Sequence, residues 1–181
     1  RVGDRLVITK PLGSGVLFNG NRKGWVRPED LEACLRWITQ LNKTPAEVAA
    51  PYEPHACTDI TGFGLAGHTY NMARYAGVTF KIDLASVPVM PGALDMYRRG
   101  VTTGVNETNR ELVTGHVRFE TRLTKWHQEI VFDPQTAGPL LFAVAPEKAD
   151  TLVADLKAHG MAEATVIGEV LPFEDVCLRI V

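Results

Sequence analysis

No apolar run in the sequence approaches the roughly 20 residues needed to cross a bilayer, and the first residues lack the basic and apolar regions of a secretory signal. No membrane partner is expected, and the cytoplasm is the expected compartment. Cysteine is scarce: Cys34, Cys57 and Cys177 are odd in number and widely spaced, fitting neither a disulfide framework nor a CxxC zinc site. Reduced thiols follow. Charge of one sign is lacking too, because 19 basic against 21 acidic side chains leave a net charge of -2 and no global field toward nucleic acid or an anionic surface. Any polyanion must be held by a local site. Trp25, Trp37 and Trp126 are too dispersed for a stacking platform, and the basic residues are not expected to cluster with them, so no nucleic-acid partner is expected.

What is present is an ordinary globular composition, 45% hydrophobic and 22% charged over 181 residues, enough to bury a core. Arg5 to Lys10 is a β-branched run stopped by Pro11, and Gly13 to Gly15 reads as a turn. Leu31, Cys34, Leu35, Ile38 and Leu41 recur at helical spacing after Pro28, Glu29 and Asp30, which suit a first turn. Thr44, Pro45 and Glu47 form a capping-box pattern for a short second helix. Ala56 to Ile60 suits a short strand, and a helix from Gly64 carries Leu65, Thr69, Met72 and Ala76 before Gly77. Val78 to Leu84 is strand-like, Pro91 to Arg99 is helical, and the polar stretch from Val101 to Arg110 reads as an exposed loop. The segment through Trp126 fits no single pattern. Leu140 to Ala145 is an apolar strand, Ala149 to Leu156 an amphipathic helix ended by Gly160, and Ala164 to Leu171 and Val176 to Val181 the last strands. Without a linker or repeat, this alternation predicts one α/β (α+β) domain over 1–181, with helices packed on a mixed sheet.

The stretch with chemical content is HACTDITGFGLAGH, His55 to His68: strand, carboxylate, glycine turn, helix. Gly62 and Gly64 let the backbone approach a ligand, and the helix start favours an anion. Asp59, just ahead, would repel phosphate unless a hard cation lay between them, so Mg²⁺ bridging Asp59 to phosphate oxygens is the expected arrangement. Two other readings compete. Gly62, Gly64 and Gly67 match a GxGxxG dinucleotide fingerprint with Asp83 where a ribose-binding acid would stand, although the preceding strand is short and polar. In the plainest reading, the Thr61 side chain accepts the Gly64 amide as a helix cap and Asp59 is a solvated strand end. Cys57 is expected to pack in the core. His68 is expected to be a satisfied, partly buried histidine, and His55, His116, His127 and His159 show no ligand spacing.

With VGDRLVITKPLGSGVLF near the start, HACTDITGFGLAGH in the middle and FDPQTAGPLLFAVAPE from Phe132 to Glu147, the sequence resembles the selenophosphate synthetase (selenide, water dikinase) family, within the aminoimidazole ribonucleotide synthetase-like superfamily. The resemblance implies the C-terminal domain of an enzyme whose N-terminal ATP-binding domain, with its reactive Cys or selenocysteine and a Lys, is absent from this chain. That agrees with a chain opening at Arg1 and running at once into a strand, as an excised piece would. It further implies Mg²⁺, with ATP, selenide and water as substrates and selenophosphate, AMP and phosphate as products. The full-length enzyme would be a homodimer, and the isolated chain inactive and monomeric. Asp59 matches the family's metal-binding aspartate, Thr61, Gly62 and Gly64 the turn beside the phosphates, and Asn109 a polar contact from a loosely matching loop. The family's DPQTSGGLL is altered here, with Ala137 for Ser and Pro139 for the second Gly, so an anion contact by that loop is not expected. A non-catalytic interaction or regulatory domain of a degenerate homologue is the alternative of a different class.

Overall fold

The computed structural model of the chain describes residues 1–120 and 122–181. In chain order its elements are β1 (Arg5–Ile8), α1 (Ser14–Arg22), α2 (Pro28–Thr39), α3 (Lys43–Ala49), β2 (Ala56–Asp59), α4 (Gly64–Ala76), β3 (Val78–Ile82), α5 (Ala93–Arg98), α6 (Asn106–Leu112), β4 (Val117–Phe119), α7 (Lys125–Gln128), β5 (Leu140–Val144), α8 (Pro146–Ala158), β6 (Thr165–Pro172) and β7 (Leu178–Ile180). Short 3-10 turns stand at 50–52, 84–86 and 129–132. This is the α/β class that the alternating pattern implies.

The strands form one sheet in the order β2-β5-β1-β6-β3-β7-β4. It is mixed: β5 pairs antiparallel with β2 and β1, and β6 antiparallel with β1 and β3, whereas β7 runs parallel to β3 and β4. Period-two alternation sends Leu6, Ile8, Phe80, Ile82, Leu178 and Ile180 into the larger core, with Leu17, Leu65, Tyr70 and Met96 from the helices. On the opposite face α3 and α8 cover Val7, Phe142 and Val144 with Ala49, Leu152 and Leu156. β5 is thus buried on both faces, which is why Leu140–Val144 is an unbroken apolar run. Beyond α8 that second face carries ion pairs instead: Arg5 and Lys81 with Glu169, and Arg179 with Glu120 and Glu174.

Several local expectations are corrected. The GSG segment, expected as a turn, is the N-cap and first two residues of α1, because its amides are taken by the side chains of Gln135 and Asp133 far along the chain. α3 begins at Lys43 with Asn42 at its N-cap, and no side chain caps it. Thr44 therefore lies inside the helix and the capping box does not form; the Asn42 amide is drawn off to the Gly138 carbonyl at 2.9 Å. In α2, Cys34 is buried but Leu35 and the following Leu41 are exposed, so the apolar stripe is narrower than its spacing suggests. The polar stretch from Val101 to Arg110 is loop only at first. α6 starts at Asn106, and Asn106 and Asn109 are buried because each amide has carbonyl or hydroxyl partners inside.

Candidate functional site

β2 is an edge strand paired only with β5, Asp59 lying opposite Leu140. The Asp59 side chain is exposed and has no hydrogen-bond or ion-pair partner among the described residues. Ile60, wholly buried, then anchors the chain while Thr61, Gly62 and Phe63 turn it into α4, whose start no side chain caps. The Gly64 amide donates to the Thr61 backbone carbonyl at 3.0 Å, so the Thr61 hydroxyl is not the cap. That hydroxyl lies 3.1 Å from His68 Nε2, which also accepts the Thr61 amide at 3.1 Å. Burial lowers the His68 pKa against the smaller opposing effect of Asp59, so a neutral ring accepts from the turn it faces. As expected, His68 is satisfied; its partner is the site turn itself.

The two glycines differ in purpose. A side chain at Gly62 would point into open space, leaving its backbone free to be approached. Gly64 has φ +67°, and a Cβ there would stand 2.8 Å from the Val131 carbonyl oxygen, so its hydrogen is required by packing against the 129–132 turn. Gly67 is likewise pressed on Phe63. Asn109 donates to the Gly62 carbonyl at 2.8 Å and to the Phe132 carbonyl at 2.9 Å. It is 3% exposed and ties the turn to the core from behind, so it is placed as a brace, not as a group presented to a ligand.

The FDPQTAG segment is built as a second brace. Asp133 accepts the Gly15 and Val16 amides at 3.1 and 2.8 Å, and Gln135 Oε1 accepts those of Gly13 and Ser14 at 3.1 and 3.3 Å. These two side chains occupy the start of α1 and take the amides that an anion would otherwise bind. The Asp133 carboxyl is also held by the Tyr97 hydroxyl at 2.6 Å and by Gln135 Nε2 at 2.7 Å. Burial pushes its pKa up to about 6 against those bonds. The loop then meets the site directly: Gln135 N–H donates to the Thr61 carbonyl at 3.0 Å, and Ile60 N–H to the Pro139 carbonyl at 2.8 Å. Pro at 139 removes an amide at a position that meets the site through its carbonyl.

Around Asp59 the chemistry is sparse. Cys57 is exposed on the edge strand, which corrects the expected core packing, and local desolvation followed by the Asp59 charge pushes its thiol up to about 11. It is neutral at pH 7 and unsuited to nucleophilic attack. Among the described residues no group of three or more His, Cys, Asp or Glu side chains could hold a metal. A free, unpaired carboxylate beside an uncapped helix start fits Mg²⁺ as one ligand of several, since that ion binds through one or two carboxylates plus phosphates and waters. Elsewhere, Lys23 and Arg99 stand 5.0 and 4.5 Å from the Trp25 ring, so one tryptophan does gather cations, contrary to expectation. Asp95 pairs with Arg98 and Arg99, and Arg27 pairs with Glu29 and Asp30, so that surface is of mixed sign.

The dinucleotide reading fails on topology. Its fingerprint needs the strands before and after the helix to be near neighbours in a parallel sheet, but β5, β1 and β6 lie between β2 and β3. At roughly 4.8 Å per strand Asp83 is about 19 Å away. Its carboxylate serves its own turn, accepting Ala85 N–H and the Ser86 hydroxyl.

A seven-stranded mixed sheet with a carboxylate at the end of an edge strand and an uncapped helix behind it defines a class, and the chain belongs to the family described as AIR synthase related protein, C-terminal domain, which matches residues 1–177. Within that class it is 40% identical over 171 residues to the selenide, water dikinase of Pelobacter propionicus, covering 94% of this chain and 49% of that protein. It is 38% identical over 170 residues to the selenide, water dikinase of Clostridioides difficile, again covering 94% and 49%. The chain thus spans about half the length of the curated relatives it matches. Hydrogenase maturation protein HypE, in its complex with ATP, superposes with a TM-score of 0.65 at 19% identity, over 94% of this chain and 43% of that one. This likeness extends to the fold.

Proposed function

We propose that the chain is the C-terminal domain of a selenide, water dikinase, which converts selenide, ATP and water to selenophosphate, AMP and phosphate. Within it, Asp59 would hold Mg²⁺ against the phosphates, and the backbone of Thr61, Gly62 and Gly64 would border them. The observation that carries this reading is the free Asp59 carboxylate at the mouth of an uncapped helix, in a chain about 40% identical to enzymes of that name. Mg²⁺, when bound, would neutralise phosphate charge. The chain's residues would supply orientation: β2 fixes the carboxylate, and His68 and Asn109 hold the turn, whose exposed Gly62 backbone would face the anion. The rest of the nucleotide site, the reactive residue and the homodimer contact would belong to an N-terminal half. Ala137 and Pro139 give little support to a degenerate homologue, because each of the two positions contributes its backbone carbonyl, which either substitution keeps.

The test is Asp59→Asn in the full-length protein, followed by phosphorus NMR for selenophosphate. Loss of most turnover with an unchanged unfolding midpoint is expected, since Asn keeps the shape and loses the hard anionic ligand. Near-native turnover at ordinary Mg²⁺ would return Asp59 to a solvated strand end.

A further inference from the structure

Lys10 follows the apolar strand β1 and is 1% exposed, yet no carboxylate among the described residues pairs with it. Its ammonium donates to two backbone carbonyls, Gln40 at 2.6 Å and Ala137 at 3.1 Å. Burial lowers its pKa, so the fold carries a costly cation where a methionine would fill the same volume. The Ala137 carbonyl it holds belongs to a residue at φ 44°, a left-handed conformation unusual for alanine. On either side, Ser14 Oγ accepts the Thr136 amide at 3.0 Å and Asn42 donates to the Gly138 carbonyl at 2.9 Å. A Cβ at Gly138 would lie 2.1 Å from the Ile60 carbonyl oxygen, so this loop presses on the residue next to Asp59. The loop and Gln135 just before it are then bonded to two consecutive residues at the entry of the turn, Ile60 and Thr61.

We propose that Lys10, assisted by Asn42, is a positioning residue for the Asp59–Thr61 site: its ammonium fixes the 136–139 loop, and the loop sets where the carboxylate and the turn stand. This rests on the reading of Asp59 given above. Lys10→Met keeps the stem and removes only the charge and its two bonds. In the 181-residue chain, amide exchange of Ile60 and Gln135 should quicken about tenfold while that of Leu6 and Ile8 is unchanged, since local opening is governed by the bonds of that segment. In the full-length protein, the Mg²⁺ concentration for half-maximal selenophosphate formation should rise about tenfold, with kcat at saturating Mg²⁺ within about twofold, the pattern of a displaced ligand. A purely structural lysine would lower the folded fraction and kcat and leave the Mg²⁺ midpoint and the local exchange pattern as they were, which would overturn the proposal. If Lys10→Met does not fold, Asn42→Ala decides by the same two measurements. Asp59→Asn separates the failures: if it is silent, the site reading falls and this inference with it. If it abolishes turnover while the Lys10 and Asn42 variants leave the midpoint unmoved, the positioning role alone is lost.

Discussion

Asp133 illustrates how one buried side chain can serve a distant element. Its two oxygens face four donors, the amides of Gly15 and Val16, the Tyr97 hydroxyl and Gln135 Nε2, so the ionised form is matched on every side. An asparagine would turn an NH₂ toward one pair of those donors, and Asp133→Asn should cost about 2–4 kcal/mol at pH 7 by leaving buried donors unpaired. Urea unfolding at pH 7 measures this, and a change below about 0.5 kcal/mol would contradict the bond pattern. The pH dependence has a definite sign. Because burial raises the folded pKa from 3.8 to about 6, the folded state binds the proton more tightly than the unfolded one. This group's contribution to stability therefore grows as pH falls from about 6 toward 4 and shrinks again on raising the pH. His68 works the other way, its lowered pKa giving stability that is full above its unfolded value and lost as pH falls through the folded one. Unfolding curves of Asp133→Asn should lack the first contribution and keep the second.

At the scale of elements, α4 offers a contrast within one turn. Gly64→Ala places a methyl against the Val131 carbonyl at positive φ and should cost more than about 2 kcal/mol from strain and clash together. Gly62→Ala meets nothing within 4 Å, so its unfolding midpoint should stay near the native one while turnover of the full-length protein falls, if phosphate approaches that backbone. Equal loss of stability in the two variants, read by thermal unfolding, would refute the division of roles. What the sequence alone could disclose follows the same line. The strand–turn–helix from Ala56 to Ala76, with its Gly77 stop, was legible because each signal is local. α1 was not, since its start is capped by Asp133 and Gln135, more than a hundred residues away. The same holds for the burial of Asn109 and for the start of α3, which are set by partners at Phe132 and Gly138. Lys10 carried one visible signal, a cation at the end of a β-branched run, but its acceptors are backbone carbonyls that no residue pattern marks.

The whole molecule presents its chemistry at one margin of the sheet. β2 is the edge strand, Cys57 and Asp59 are exposed on it, and Phe63 beside them is 52% exposed. Asp59 is the one carboxylate the turn offers, and no cluster of metal ligands completes it among the described residues. Phosphoryl transfer needs in-line positioning and charge neutralisation from several groups at once, and removing such groups typically costs orders of magnitude in rate. A half-site of this kind should therefore be silent alone. The purified 181-residue chain is expected to show no Mg²⁺-dependent ATP hydrolysis and no selenophosphate by phosphorus NMR, and no calorimetric binding of NAD, whose fingerprint the sheet order defeats. Joining the chain to the remaining half found in its relatives should restore turnover, and Asp59→Asn should abolish what is restored. Turnover by the chain alone that disappears in Asp59→Asn would mean that this margin holds a complete catalytic centre, and the division of the site between two halves would have to be abandoned.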